Sequence, residues 1–327
     1  MSFERLIDGD VFFEITKNFE IVPYVQTKGM CDMHSLSGNN RIVFFINDFT
    51  KPTIACFGHE KKFLTKKMLL IEGECYATSE NINIKEVHTF YSNICQESYD
   101  IIEICSNTQY NFIYETALRQ AGYLRPVGQF SMPITKIIDL TDVIKYNQNW
   151  KRNIKKSTGF NLTFEFIESP NLTDCTDFIL IYKEMIGRKS MSNSLNSNQI
   201  LALCKDPNFN LSFSSCNHKR VSGILIHKNT THAGLFYAAT NEIALKSSAS
   251  FFMYNSLFKH LNTIGIKTFD MEKLVPSTQS VNSVFLFKNG IEGKHVVLNG
   301  EWSWYKKSYY RPLMYFVKKH LMKKREL

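Results

Sequence analysis

The sequence predicts an α/β protein with mixed (α+β) sheets, organised as two consecutive domains at 1–139 and 140–327. Three observations lead there. Short β-type runs alternate with stretches whose apolar residues recur at helical spacing along the whole chain. The chain has 327 residues, 44% of them hydrophobic, with only 15 glycines and 8 prolines, so it can bury two cores and is neither linker-rich nor collagen-like. A strand–helix–glycine–strand pattern occurs once in each half, ending at Gly122 and at Gly290.

In the first half, 41–46 and 52–57 read as strands joined by a turn at 47–51, and 67–71 as a third. Residues 83–95 carry Ile84, Val87, Phe90, Tyr91 and Ile94, one apolar face of a helix. A buried-type strand at 99–105 and a helix at 111–120, stopped by Gly122, follow, and 129–138 returns to extended structure. The second half opens with a helix over 140–157, capped by Thr141 or Asp142. A strand at 161–167 and helices at 173–187 and 196–204 lead to an antiparallel meander, 211–216, 221–227 and 231–239. A long helix over 247–264 ends at Gly265. Then come a short strand at 268–271, a helix at 277–288 and a strand at 294–298.

No apolar run approaches the roughly 18 residues of a membrane span, and the first ten residues are too charged for a secretory signal. The eight cysteines include no C-x-x-C pair, which fits reduced thiols and a cytoplasmic location. The net charge of +9 is unevenly placed. Residues 1–145 hold 14 basic and 18 acidic side chains, or −4, and residues 146–327 hold 25 and 12, or +13. The second half is therefore expected to meet an anionic partner. Two runs without acids carry much of this charge: 145–156, and 306–325, which has the pattern of a basic amphipathic helix. The latter is expected either to dock on the core or to touch an anionic leaflet on the inner face of the membrane. Gly-x-Ser-x-Gly, Walker lysine and His-Glu-x-x-His motifs do not occur, and the nine histidines lack metal-ligand spacing, so no metal is expected.

The order meander, long helix, short strand, helix, strand is similar to the GNAT acyltransferase fold. Several motifs in 140–327 more specifically resemble the Fem family of peptidoglycan-bridge aminoacyl transferases (FemAB/FemX-like) and related acyltransferases. They are WKRNIKK at 150–156, FILIYKEMIGRK at 178–189, LFYAAT at 235–240, TFDME at 268–272 and FLFKNGIEG at 285–293. The first half matches only in general layout. The resemblance implies two tandem GNAT-like domains, the first degenerate and on the acceptor side, the second catalytic and holding the donor. Two features depart from the pattern. No charged coiled-coil arm interrupts 200–212, and the stretch after Tyr237, AATNEIALKSS, has no glycine-rich pyrophosphate loop.

Within this frame Lys288 is expected to stabilise charge on the donor or the tetrahedral intermediate. The alternative is a lysine complementing a helix C-terminus. Asp270 is the candidate base, at the C-terminal end of a short strand, and Glu272 is read as a turn acid. Lys246, Ser247 and Ser248, read as opening the long helix, are candidates for holding donor phosphate. Asn282 and Tyr237 are candidate cofactor contacts, and Phe287 is either a pocket wall or core. The implied reaction is transfer of an acyl group from acyl-CoA to an amine of a cell-envelope precursor, a nucleotide sugar or a lipid-linked or peptide acceptor. One alternative is an aminoacyl-tRNA-dependent bridge-building transferase. Another is a non-catalytic protein that binds an anionic glycan or nucleotide.

Overall fold

A computed structural model describes residues 3–36, 41–63, 65–78, 83–126, 133–189, 195–274, 283–317 and 320. The chain divides into two compact units, Met1–Ile134 with Val296–Leu327, and Thr135–His295.

The first unit contains β1 (Glu4–Leu6), α1 (Gly9–Thr16), α2 (Lys28–Ser35), β2 (Arg41–Ile46), β3 (Ile54–Phe63), β4 (Lys66–Ile71), β5 (Cys75–Tyr76), α3 (Ile84–Gln96), β6 (Ile101–Gln109) and α4 (Phe112–Gln120). Asn83 and Asn111 cap α3 and α4, each accepting a backbone N–H two residues on. The expected face of α3, Val87, Phe90, Tyr91 and Ile94, is fully buried against Val43, Phe45, Leu69 and Ile102 of the sheet. Each such side chain contributes about 1.5–3 kcal/mol relative to exposure. Inside this core sits an acid. The Glu74 carboxylate accepts from the hydroxyls of Tyr76 (3.1 Å), Tyr91 (2.8 Å) and Tyr114 (3.3 Å). Burial outweighs those hydrogen bonds and pushes its pKa up to about 7.

The second unit runs β7 (Ile134–Asp139), α5 (Gln148–Ser157), β8 (Leu162–Ile167), α6 (Leu172–Arg188), α7 (Ser197–Leu203), β9 (Phe209–Cys216), β10 (Lys219–Lys228), β11 (His232–Thr240), α8 (Glu242–Ser247), α9 (Ala249–Thr263), β12 (Thr268–Asp270) and α10 (Ser283–Asn289). The meander is as the sequence predicts. Two helices are not. The expected helix at 140–157 begins only at Gln148, because Asp139 accepts from the Thr141 amide and hydroxyl and Asp142 from the Val143 amide. These local bonds turn the chain away from helix, and Asn147 becomes the cap. The expected helix at 247–264 is α9, which starts at Ala249; a short helix the sequence did not suggest, α8, precedes it, with Ser248 between the two in a left-handed conformation (φ 57°). The chain then returns to β13 (Lys294–Tyr305) and α11 (Tyr310–Phe316). β13 runs past the expected end at 298: a register shift between Leu298 and Gly300, where Asn299 faces two residues of β6, is absorbed with Gly300 at φ 71°, and the pairing goes on to Tyr305.

The two units share a strand plan. In the first, β1, β2, β3 and β4 pair antiparallel in sequence, β4 pairs parallel with β6, and β6 pairs antiparallel with β13. In the second, β8, β9, β10 and β11 pair antiparallel, β11 pairs parallel with β12, and β12 pairs antiparallel with β7. Two helices separate the first two strands in both, and helix precedes and follows the strand that joins in parallel. The closing strands are supplied crosswise: β13 from the far end of the chain closes the first unit, and β7, just after α4, closes the second. Residues from Val296 onward belong with the first unit, because β13 pairs with β6 and Tyr310 and Met314 of α11 pack on Met68 and Ile101. Of the basic tail, 318–319 and 321–327 lie outside the described residues. No described helix is long and apolar enough to cross a membrane. None of the eight cysteines is joined in a disulfide.

Candidate functional site

In the second unit, β12 is short and pairs with β11 only through His232↔Thr268, Ala233↔Phe269 and Gly234↔Asp270. β11 continues to Thr240, so residues 235–240 run on past the parallel ladder. A bulge at the same point, between Leu225 and Ile226 on the β10 side, swings this stretch. Phe269 points into the core, packed on Phe258 at 5.2 Å, and by alternation Asp270 points to the other side.

Asp270 Oδ1 accepts from the Thr135 hydroxyl of β7 and from the Glu272 amide at 2.7 Å. Both bonds favour the anion. Burial and the neighbouring Glu272 charge outweigh them and lift the Asp270 pKa to about 6. Glu272 itself is in the left-handed region (φ 59°), as the tight turn after the strand requires. Its carboxylate lies 3.9 Å from His227 Nε2, and the imidazole covers Gly234, where a Cβ would come within 2.3 Å of Nε2. Lys288 reaches the same turn from α10. It is 8% exposed, and its ammonium donates to the Glu272 carbonyl at 3.2 Å and the Lys273 carbonyl at 3.0 Å. Burial lowers its pKa against the opposing pull of Glu272 and Asp270. Asp270, Glu272, Lys288 and His227 thus converge at the C-terminal end of β12, where β11 and β12 part.

The helix that carries Lys288 is held from two sides. Lys136 of β7, 3% exposed, donates to the Asn289 side chain at 3.1 Å and to the Ile291 carbonyl at 2.9 Å, satisfying groups at the end of α10. Trp150 of α5 donates its indole N–H to the Phe287 carbonyl at 2.8 Å and packs on the Phe287 ring at 4.7 Å. Gly290 admits the indole, since a Cβ there would lie 2.3 Å from Trp150 Cδ1. The motifs at 150–156 and 285–293, far apart in sequence, are one packing unit.

The remaining candidates sort as follows. Phe287 is half-buried among Trp150, Phe251 and Tyr254. Tyr237 lies on β11 beyond the ladder, against Phe236 and Tyr182. Lys246 and Ser247 do not open the long helix but end α8, and the Ser247 hydroxyl is committed to the Ile243 carbonyl at 2.8 Å. Ser248 does stand at the start of α9, buried, with its hydroxyl donating to Asn153 of α5 at 2.9 Å. That bond sets α5, with exposed Lys151, Arg152, Lys155 and Lys156, beside the N-terminus of α9. Asn282 lies outside the described residues. His232 is exposed, 2.6 Å from the Thr268 hydroxyl. Sequence reasoning missed Thr135, Lys136 and His227, and the glycine at 234 in the strand beside β10 was the one local sign of a ring packed over the backbone. A cavity of about 430 Å³, lined by residues including Asp139, Lys145 and Glu292, opens at the other end of β12.

No protein-family model and no curated protein matches the sequence. Solved structures do match the fold. FemX superposes with a TM-score of 0.72 at 11% identity, covering 96% of this chain and 100% of that one. The C-terminal domain (DUF2156) of a protein described as a putative lysylphosphatidylglycerol synthetase, from Agrobacterium fabrum, gives 0.63 at 13% identity, covering 96% of both chains. A tandem GNAT protein from the clavulanic acid biosynthesis pathway gives 0.55 at 8% identity, covering 93% and 98%. At such identities the likeness is one of fold, and it extends over both units.

Proposed function

We propose that this chain is an N-acyltransferase that moves an acyl group from a polyanionic carrier to an amine of a cell-envelope precursor. The observation that carries the proposal is the convergence of Asp270 and Lys288 where β11 and β12 part. The incoming amine must lose a proton, and a carboxylate poised near pH 6 takes it at neutral pH. As nitrogen attacks, the carbonyl oxygen gains charge. Two of the three Lys288 protons are held by backbone carbonyls, and the third is assigned to that oxyanion. The C–S bond of a thioester, or the C–O bond of an aminoacyl ester, then breaks and its electrons leave with the carrier. Thr135 and the Glu272 amide hold Asp270, and Lys136 and Trp150 hold the helix of Lys288. Tyr237 and Phe287 are assigned to the donor side of this opening.

Carrier phosphates fit the start of α9 with Ser248, the adjoining basic face of α5, and exposed Lys246. The first reading of the donor is acyl-CoA. Aminoacyl-tRNA is the second, favoured by a specific feature: helix α8 occupies the stretch between β11 and α9 where a glycine-rich pyrophosphate loop would be expected. We assign acceptor binding to the first unit. A nucleotide-linked, peptide or lipid-linked amine fits the reading, the last in keeping with the lysylphosphatidylglycerol synthetase likeness. A cytoplasmic protein working at the inner face of the membrane, with the basic tail beyond α11 as its contact, fits the same reading.

Thermal unfolding with acetyl-CoA, longer acyl-CoAs, aminoacyl-tRNA and UDP-sugars in turn tests this. A donor at 100 times its dissociation constant adds about 2.7 kcal/mol. A shift with one acyl-CoA, lost in Lys288→Ala, supports the first reading, and a shift with charged tRNA alone supports the second. A shift with nucleotide sugar and with no donor overturns the catalytic proposal in favour of a binding protein.

A further inference from the structure

The first unit brings together three side chains that the proposed chemistry does not use. His34 lies in the last turn of α2, His59 in the middle of β3, and Glu72 directly after β4. Their ligand atoms all lie within 4.8 Å of one another. His34 Nε2 stands 3.8 Å from Glu72 Oε2, too long for a hydrogen bond. The imidazoles are 4.0 Å apart, centroid to centroid, tilted by 60°. His34 Nε2 and His59 Nδ1 are shut off from solvent and have no hydrogen-bond partner. Two buried ring nitrogens left unsatisfied beside a carboxylate are costly unless something fills the space between them.

We propose that His34, His59 and Glu72 bind a divalent transition-metal ion of the zinc class, with three protein ligands and a fourth position open. Two imidazoles and one carboxylate are a donor set suited to zinc. Ligand atoms on a tetrahedral ion with bonds of about 2.0 Å lie about 3.3 Å apart, so modest rotamer adjustment closes the observed spacing. The frame for the ligands is already rigid. Gln26, fully buried, accepts from the Phe57 amide at 2.7 Å and donates to the carbonyls of Phe57 (3.1 Å) and Glu72 (3.0 Å). It thereby fixes both β3, two residues before His59, and the backbone of Glu72. The adjoining Gly73 takes φ 75°, and a Cβ there would lie 3.4 Å from Val25. Such outer-shell support is what holds metal ligands in place. Lys61, exposed on β3 two positions beyond His59, is a basic side chain whose charge bears on both rings, and it opposes the ion from the solvent side. The carboxylate of Glu72 is 43% exposed and provides the way in.

The test uses untagged full-length protein stripped with chelator, then titrated with Co²⁺ and, separately, with Zn²⁺ in competition with a chromophoric chelator. One Co²⁺ per chain with visible bands of tetrahedral intensity, displaced by Zn²⁺, is the expected result. H34Q and E72Q, each checked for a native far-ultraviolet spectrum, should weaken Zn²⁺ by more than the roughly 10–100-fold that losing an outer-shell partner costs. Failure of the wild-type protein to take up one ion, an octahedral Co²⁺ spectrum, or Zn²⁺ affinity unchanged in folded H34Q and E72Q would each overturn the assignment. None of these readouts depends on acyl transfer.

Discussion

The substitution Asp270→Asn separates stability from function in a way that can be worked out beforehand. The carboxyl is held neutral up to about pH 6, where an unfolded chain would ionise near 3.8. A raised pKa means that the folded state holds the proton more tightly than the unfolded one. Its contribution is favourable below about 3.8, fades as pH rises, and above 6 the fold bears the whole difference. Two pKa units correspond to about 3 kcal/mol. The carboxamide of the variant would keep the acceptor that Thr135 and the Glu272 amide use and would carry no charge. Urea unfolding of both proteins at about pH 4 and about pH 7.5 measures the effect by double difference, which cancels the titrating groups that do not interact with Asp270. The variant should gain up to about 3 kcal/mol on the wild type between the two conditions, while transferase activity is lost. Parallel stability profiles would show that Asp270 titrates normally and would remove the argument for it as a base.

Further outcomes follow from the same geometry. Lys288→Met should lower kcat by about 10²–10³ with little change in donor binding if the ammonium meets the oxyanion, read from a kcat-against-KM comparison. Glu74→Gln should remove a second loss of stability, about 3 kcal/mol between pH 4.5 and 7, because that carboxyl too is held neutral, up to about 7; unfolding midpoints at several pH values check it. Gly290→Ala should destabilise by about 1–3 kcal/mol by driving a methyl into Trp150, seen as a lowered Tm and a shifted tryptophan emission. Reversing Lys155 and Lys156 to glutamate should raise donor KM and flatten its salt dependence without altering kcat, because the basic face of α5 is exposed.

Where the fold is written in local periodicity, the sequence is a good guide. The apolar stripe of α3, the meander β9–β11 and the glycine after α4 were legible because each depends only on near neighbours. Ser248 was not, because a serine in the left-handed region looks like any N-cap serine. The extent of β13 was hidden by Asn299–Gly300, which reads as a turn but lies in the strand at a register shift against β6. Nor does anything local in 134–139 or 294–305 say which sheet each will close. In the proposed site, Lys288 and Asp270 were singled out by the reading of the sequence, whereas Thr135, Lys136 and His227 were not. Those three act from other strands, and only the strand order brings them in. The histidines show the same limit. Searched by spacing they are scattered, yet His34 and His59 meet because α2 lies over the sheet.

The crosswise supply of β7 and β13 governs how this chain comes off the ribosome. When α4 has emerged, the first unit still lacks β13 and α11, and β13 is the last of the described strands to be made. Throughout synthesis of the second unit, the edge of β6 that β13 will fill stands open, an unpaired edge prone to mispairing. The same feature makes the two halves genetically complementary. A chain cut between 139 and 140 leaves 1–139 holding the strand that 140–327 needs, and the reverse. The pieces made separately should each be insoluble or molten, and co-expression alone should restore the native protein.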